Sequence, residues 1–472
     1  MPSPPRFHRI ALRRNPGVTA LLRSADQRVV FTRSPASEHS DTALFDEAQA
    51  QLEQHQPPYA GAPGKRTLTL YMVLTDQCNL GCRYCDVLGR PDQRAGGERM
   101  PWAVAERAME ILLARLRAEP ELEAQVTFFG GEPLLAWPLL ERLCRFLEDQ
   151  PERRRISRML VTNGTLLDDA KSAFLLAHRV YVVVSMDGRP AVHDGVRGLL
   201  GGGASFPAVD RGMASLNRVM PGRWGISTTV GSHNAATLND ELRWMQQRYH
   251  PLCIGLNIYH YQRDGGCGIA MDDADMGAAM LGAFRMARVE GISIYQYIGI
   301  LKGFLRRQRN LDYCPACVDK LLFSPAGRVG RCETLMFDER FSVPLEQVQD
   351  HHLPDHLDWT AYTPEHEPAC QPCSARWICP GSCAYDQWVT TGALSGVQGR
   401  RCAFHQGMMV ELLELLFEAC EAELGDAAVF VPAQHHFDAV PGAMPVTFPA
   451  DTIWIVSMAA ASDAPSPTQE SP

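Results

Sequence analysis

Residues 67–86 read TLTLYMVLTDQCNLGCRYCD. The first eight put Leu68, Leu70, Met72 and Leu74 on one face of a strand, because successive side chains alternate across a sheet. Directly after it, Cys78, Cys82 and Cys85 follow with the spacing C-x3-C-x2-C. A strand running into a polar, cysteine-bearing loop is where α/β proteins keep their chemistry, at the carboxyl ends of the strands.

Working outward, five more strand-like runs appear: QVTFF (125–129), RMLVT (158–162), VYVVVS (180–185), ISTTV (226–230) and CIGLNIY (253–259). Helical patterns occupy about 101–118, 136–149, 166–177, 206–219, 235–248 and 272–290. Six strands alternating with six helices predict a parallel sheet with right-handed crossovers, an α/β fold. Six units fall short of a closed eight-fold barrel, so a partial (β/α)6 TIM-type barrel is expected. GGEP (130–133), NGT (163–165) and MDG (186–188) follow the second, third and fourth strands and so share a face with the cysteine loop.

The chain has 472 residues, 46% hydrophobic and 21% charged, which fits a soluble protein of more than one domain. A net charge of −9 argues against nucleic-acid binding, which needs a basic face. No run of 18 apolar residues offers a membrane span. The start, MPSPPRFHRIALRR, lacks the apolar core of a secretory signal, so a cytoplasmic location is expected. There, fifteen cysteines point to metal or redox sites rather than structural disulfides.

Zinc usually takes four ligands in two separated pairs, and no histidine near Cys78, Cys82 and Cys85 completes a tetrahedron. Three close thiolates suit a 4Fe-4S cluster with one iron left open. This spacing, with Tyr84 before the last cysteine, resembles the radical S-adenosylmethionine (SAM) superfamily. The resemblance implies that the open iron takes the amino and carboxylate groups of SAM, whose reductive cleavage yields methionine and a 5′-deoxyadenosyl radical. It also implies SAM contacts at later strand ends. Gly130, Gly131 and Glu132 are similar to the family's turn for the SAM amino group. Ser185, Asp187 and Arg197, in SMDGRPAVHDGVRG, resemble a SAM-contacting segment in which Arg197 would pair with the SAM carboxylate. Asn163 would reach the same ligand. Turn chemistry alone also explains Asn163, Ser185 and Asp187, since these residue types favour strand-to-helix turns. His193 and Asp194 are expected to order their loop.

A second region, 310–405, holds eight cysteines with little periodicity and reads as a metal-stapled, loop-rich domain. Cys317 is followed by nine residues, Gly327, four residues and Cys332; then come Cys370-x2-Cys373-x5-Cys379-x3-Cys383, and finally Cys402. C-x2-C pairs also hold zinc, so a zinc ribbon is the alternative. The spacing resembles the SPASM extension of peptide-maturing radical SAM enzymes. That resemblance implies two auxiliary 4Fe-4S clusters. Cys317, Cys332, Cys383 and Cys314 would hold the first, though CPAC spaces Cys314 more closely than related maturases do. Cys370, Cys373, Cys379 and Cys402 would hold the second. Cys144, Cys253, Cys267 and Cys420 fit no motif and are expected to serve packing. Glu333, after Cys332, stands where some sulfatase-type maturases carry an aspartate base, and one of Tyr259, His260 and Tyr261 is a candidate for lining a substrate pocket.

The expected organisation is a small N-terminal module and linker (1–62), a radical SAM partial barrel (63–305), a SPASM domain (306–425) and a largely disordered tail (426–472). The expected function is oxidative modification or crosslinking of a precursor peptide, with flavodoxin or ferredoxin as electron donor and neither nucleic acid nor membrane as partner. The alternatives are a formylglycine-forming sulfatase maturase, a radical SAM enzyme acting on a small molecule, and a non-catalytic zinc-binding interaction protein.

Overall fold

The structure is a computed structural model that describes residues 7–23, 27–33, 42–44, 46, 50, 66–85, 97–261, 268–305, 315–317, 319–336, 338–348, 353–359, 362, 364, 366–426, 428–433, 436–437 and 440. The chain begins with three strands, β1 (Phe7–Ala11), β2 (Thr19–Arg23) and β3 (Val29–Thr32). It continues as β4 (Thr67–Thr75), α1 (Trp102–Ala118), β5 (Glu123–Gly130), α2 (Trp137–Glu148), β6 (Ile156–Thr162), α3 (Asp169–Ala177) and β7 (Val180–Ser185). After α4 (Pro190–Val196) and α5 (Phe206–Val219) come β8 (Trp224–Val230), α6 (Leu238–Tyr249), β9 (Cys253–Ile258), α7 (Asp273–Glu290) and α8 (Tyr295–Leu305). The cysteine-rich region supplies β10 (Lys320–Phe323), β11 (Arg328–Gly330), β12 (Ser342–Pro344), α9 (Ala384–Thr391) and α10 (Gly399–Leu424), and β13 (Val429–Phe430) follows.

Strands β4 to β9 lie side by side in sequence order, all parallel, as alternating strands and helices dictate. Leu68, Leu70, Met72 and Leu74 are fully buried in the core, the face that their alternation predicts. Helices start where the local chemistry allows: Asp168 caps α3 through the Lys171 N–H at 2.8 Å, and Asp272 caps α7 through the Ala274 N–H at 2.7 Å.

Two connections go beyond the expected layout. The sheet does not stop at β4: β10 pairs parallel to it, and β11 and β12 continue the sheet antiparallel, giving nine strands in all. The free edge of β4 is thereby covered, and unpaired edge groups are costly to leave open. Arg115 of α1 donates to Asp319 at 2.9 Å just before β10, fixing the junction. Secondly, β1, β2 and β3 form an antiparallel sheet completed by β13 from the chain's other end. The segment from 426 onward, expected to be largely disordered, thus contributes a strand, while DTIWIV lies outside the described residues. This small sheet packs on α10 through Phe31 and Phe417, whose ring centroids are 5.3 Å apart. Arg14 pairs with Glu411 and Glu418, and Asn15 donates to Glu414 at 2.8 Å.

Candidate functional site

The Cys78–Cys85 loop leaves the end of β4 and is held against the segment after α4. Gly81 donates to the Gly198 carbonyl at 2.9 Å, Arg83 to Val196 at 2.8 Å, and the Leu200 N–H to Asn79 at 3.0 Å. Cys82 is buried, and Cys78 and Cys85 are half-buried. Burial pushes the Cys78 thiol up to about 12, and the neighbouring Glu132 and thiols add to this. Such a group becomes a thiolate only beside a cation or metal. Several N–H donors also aim at these sulfurs: Leu80 N at 3.4 Å and Asn163 Nδ2 at 4.0 Å from Cys78, and Arg197 Nη1 at 3.9 Å from Cys82. Hydrogen bonds to sulfur are the surroundings that iron–sulfur thiolates use, so the donor set fits a 4Fe-4S cluster.

Gly130 has φ +141°, and a Cβ there would stand 2.2 Å from the Thr75 carbonyl oxygen. That oxygen also accepts the Gly131 N–H at 2.9 Å. Gly130 therefore serves the close approach of two strand ends. Glu132 is fully buried, and its carboxylate accepts from Thr162 Oγ1 (2.7 Å), Asn163 N (2.7 Å) and Leu134 N (3.0 Å). Burial pushes its pKa up to about 7 against those bonds. The Glu132 side chain thus ties the turn after β5 to the turn after β6. Asn163 bridges further: its Nδ2 donates to Asn79 Oδ1 at 2.8 Å, and its Oδ1 accepts the Thr165 N–H at 3.0 Å.

Asp187 and Arg197 meet beneath the cysteine loop. Arg197 Nε donates to Asp187 at 3.0 Å, the Thr229 N–H at 2.9 Å, and the Tyr84 hydroxyl donates to the same carboxylate. Burial opposes ionisation of Asp187, but the Arg197 guanidinium, His233 and Tyr84 outweigh it and hold the carboxyl well below its usual range. The guanidinium also lies 5.1 Å from the Tyr84 ring centroid. The Asp187 carboxylate thus holds Arg197, whose Nη1 faces the Cys82 sulfur. Ser185, half-buried, sits in register with Ser227 at the end of β7. His193 is buried 3.1 Å from Ser205 Oγ, burial and then Arg197 lower its pKa to about 4, and Asp194 accepts the Ser205 and Phe206 N–H groups, both at 2.8 Å. Both order the loop, as expected. His233 was not singled out in the sequence; its Nε2 lies 3.6 Å from Asp187, and it borders a pocket of about 340 Å³ with Arg83, Val192 and Ile269. The signal was available, since GSHN also follows a strand end.

In the second region, Cys370, Cys373, Cys379 and Cys402 lie together. Burial pushes Cys370 up to about 12, and the thiols of Cys379, Cys373 and Cys402 raise it further. Gly381 N lies 3.4 Å from the Cys379 sulfur and Gln406 Nε2 3.9 Å from that of Cys373. Cys317, Cys332 and Cys383 border one satellite core around Leu335, Phe341 and Trp359. Cys314 and Cys267 lie outside the described residues. Glu333 is held by Lys320 at 2.5 Å; burial pushes its carboxyl up, but the ammonium pulls it down further, and the net shift is downward. Lys320 is itself buried, 3.9 Å from the Tyr71 ring centroid. Among the residues without a motif, Cys144 and Cys420 are buried, and Cys253 lies 3.3 Å from the Tyr181 hydroxyl.

Residues 72–245 match the Radical SAM superfamily. The serine-type anaerobic sulfatase-maturating enzyme of Klebsiella aerogenes is 26% identical over 362 residues, which is 71% of this chain and 84% of the relative. Native anSMEcpe, solved with bound AdoMet and Cp18Cys peptide, shares the fold with a TM-score of 0.61 at 19% identity, over 77% of this chain and 99% of that one. Streptococcus suis SuiB, solved bound to precursor peptide SuiA, does so with a TM-score of 0.53 at 15% identity, over 78% and 82%. Residues 72–245 are thus a radical SAM domain, of a family that binds SAM and a 4Fe-4S cluster. No helix among the described residues is long and apolar enough to cross a membrane.

Proposed function

We propose that this enzyme oxidatively modifies or crosslinks a side chain of a ribosomally made precursor peptide. What carries the reading is that β10 joins the cysteine-rich region to the edge of β4, the strand that ends in the Cys78–Cys85 loop. The Cys78–Cys85 loop and the segment that carries Cys317 and Cys332 are then joined through one sheet. When bound, the clusters supply a reductant for SAM cleavage at Cys78, Cys82 and Cys85, and an electron outlet at the two auxiliary sites. The first of those would use Cys317, Cys332, Cys383 and Cys314, and the second Cys370, Cys373, Cys379 and Cys402.

The remaining roles belong to the chain's own groups. Arg197, held by Asp187, orients the SAM carboxylate; the backbone of Gly130 to Glu132 receives the amino group, since the Glu132 side chain is already engaged. Asn163 and Ser185 complete the SAM contacts. SAM, when bound, would supply the radical that takes a hydrogen atom from a substrate C–H bond, leaving one electron for the auxiliary site and one proton for a base. Glu333, kept ionised by Lys320, takes the proton. Flavodoxin or ferredoxin is the electron donor, the enzyme works in the cytoplasm, and neither nucleic acid nor membrane is a partner. The N-terminal module helps hold the peptide's leader; crosslinking tests this, and undiminished binding after its removal counts against it.

A second reading, formylglycine formation in a sulfatase, is favoured by the Klebsiella aerogenes likeness and by Glu333 after Cys332. Reduced, anaerobic enzyme incubated with SAM and a synthetic peptide separates the two. Deoxyadenosine formation stimulated by the peptide encoded beside the gene supports the first reading; stimulation only by a sulfatase peptide replaces it with the second. Colourless, zinc-only protein that leaves SAM intact overturns both.

A further inference from the structure

His260 leaves the end of β9, and Asp386 and Cys383 belong to the start of α9, more than 120 residues away. The imidazole Nδ1 lies 3.1 Å from Asp386 Oδ1 and 3.8 Å from the Cys383 sulfur. Asp386 is fully buried and is fixed from two more sides, by Arg400 Nη2 at 2.7 Å and the Tyr261 N–H at 3.0 Å. Tyr385 stands edge-on to the imidazole, with ring centroids 5.6 Å apart. A histidine so braced has one ring nitrogen facing two acceptors, which places the proton on Nδ1.

Three arrangements could explain this triad. A mononuclear metal held by His260, Cys383 and Asp386 is disfavoured, because Arg400 brings a fixed positive charge to the same carboxylate. Ligation of the first auxiliary cluster by His260 is disfavoured by distance. Ligands on different irons of a cubane diverge outward, whereas Nδ1 sits within hydrogen-bonding reach of the sulfur already assigned to that cluster. A hydrogen bond to that sulfur needs no rearrangement. Resting on the cluster reading above, we infer that His260 is a positioning residue whose single Nδ1–H is shared between Asp386 Oδ1 and the Cys383 thiolate and so sets the potential of the first auxiliary cluster. Hydrogen bonds to cluster sulfurs stabilise the reduced, more negative state. The same histidine joins α9 of the cysteine-rich region to the end of β9.

The test is an EPR-monitored redox titration of the anaerobically reconstituted full-length enzyme, with iron and zinc counted. His260→Phe should keep all cluster iron and move one auxiliary potential to a more negative value, leaving the others unchanged. His260→Asn, whose amide nitrogen takes the place of Nδ1, should restore it. His260→Gln, whose amide takes the place of Nε2, should behave like His260→Phe and covers the case in which the latter does not fold. Full iron with an unmoved potential in both Phe and Gln variants overturns the inference. Loss of cluster iron in those variants overturns it in favour of ligation, and stoichiometric zinc in the wild type overturns it in favour of a mononuclear site. Wild-type enzyme with iron for the SAM cluster alone instead refutes the cluster reading on which the inference rests.

Discussion

Replacing Asp187 by Asn exchanges one carboxylate oxygen for an amide NH₂ at the most heavily engaged carboxylate beneath the cysteine loop. The amide can still accept the Thr229 N–H with its oxygen, but it turns an N–H₂ toward Arg197 Nε, where a charged acceptor stood at 3.0 Å. Arg197 is 8% exposed, so its charge has little water to fall back on. Breaking a buried ion pair by removing one partner costs about 3–5 kcal/mol, most of it from the charge left behind. The double variant Asp187→Asn/Arg197→Gln should recover part of that loss, giving a coupling of about 1–3 kcal/mol between the two sites. Denaturant titration under anaerobic conditions reads both quantities from the shift in midpoint at unchanged slope. The penalty should be flat across neutral pH. A carboxyl depressed in the folded state stabilises above its unfolded pKa of about 3.9, and that contribution disappears only as pH falls through the folded value below it. A single-variant cost under about 1 kcal/mol, or no coupling in the double variant, would refute the argument that Asp187 fixes Arg197.

Glu132 predicts the opposite pH behaviour: with a folded pKa of about 7 it takes up a proton on folding, so stability falls as pH rises from about 4.5 to about 7. The full effect is about 3 kcal/mol; thermal midpoints should shift in favour of Glu132→Gln between about pH 5 and pH 8, and parallel curves would contradict it. Cys373→Ala should lower iron content by one cluster while Cys253→Ala leaves it unchanged, which elemental analysis decides. Phe31→Ala should cost about 3–5 kcal/mol and open the β1–β2–β3–β13 sheet to limited proteolysis, whereas Arg14→Ala, a partly exposed pair, should cost under about 1 kcal/mol.

The barrel strands and most helices were legible because long elements carry period; β4 to β9 all lie where alternation or apolar runs predicted them. Strands β10 to β12 were not, since three or four residues such as RVG or SVP are too short to show a period. Their placement is decided by the uncovered edge of β4, a tertiary fact. The same holds for β13, whose partner Thr32 lies nearly the whole chain away. At the site, cysteine spacing identified the ligand candidates because few chemistries need it. The protein partners of individual polar residues were less accessible: nothing local in the sequence shows that Thr162 and Thr229 donate to the carboxylates of Glu132 and Asp187. His260 stood out only as a candidate pocket residue; its grouping with Asp386 and Arg400 was not legible, because the three share no local pattern and meet only where α9 and α10 reach the end of β9.

Mass spectrometry of the neighbouring-gene peptide after coexpression tests the whole account most directly. Wild-type enzyme should give a peptide lighter by the hydrogens lost in oxidation. Cys82→Ala, which removes a thiol of the radical-forming loop, should return it unmodified. A peptide of unchanged mass and connectivity from wild-type enzyme that still cleaves SAM, or equal modification with Cys82→Ala, would contradict the account.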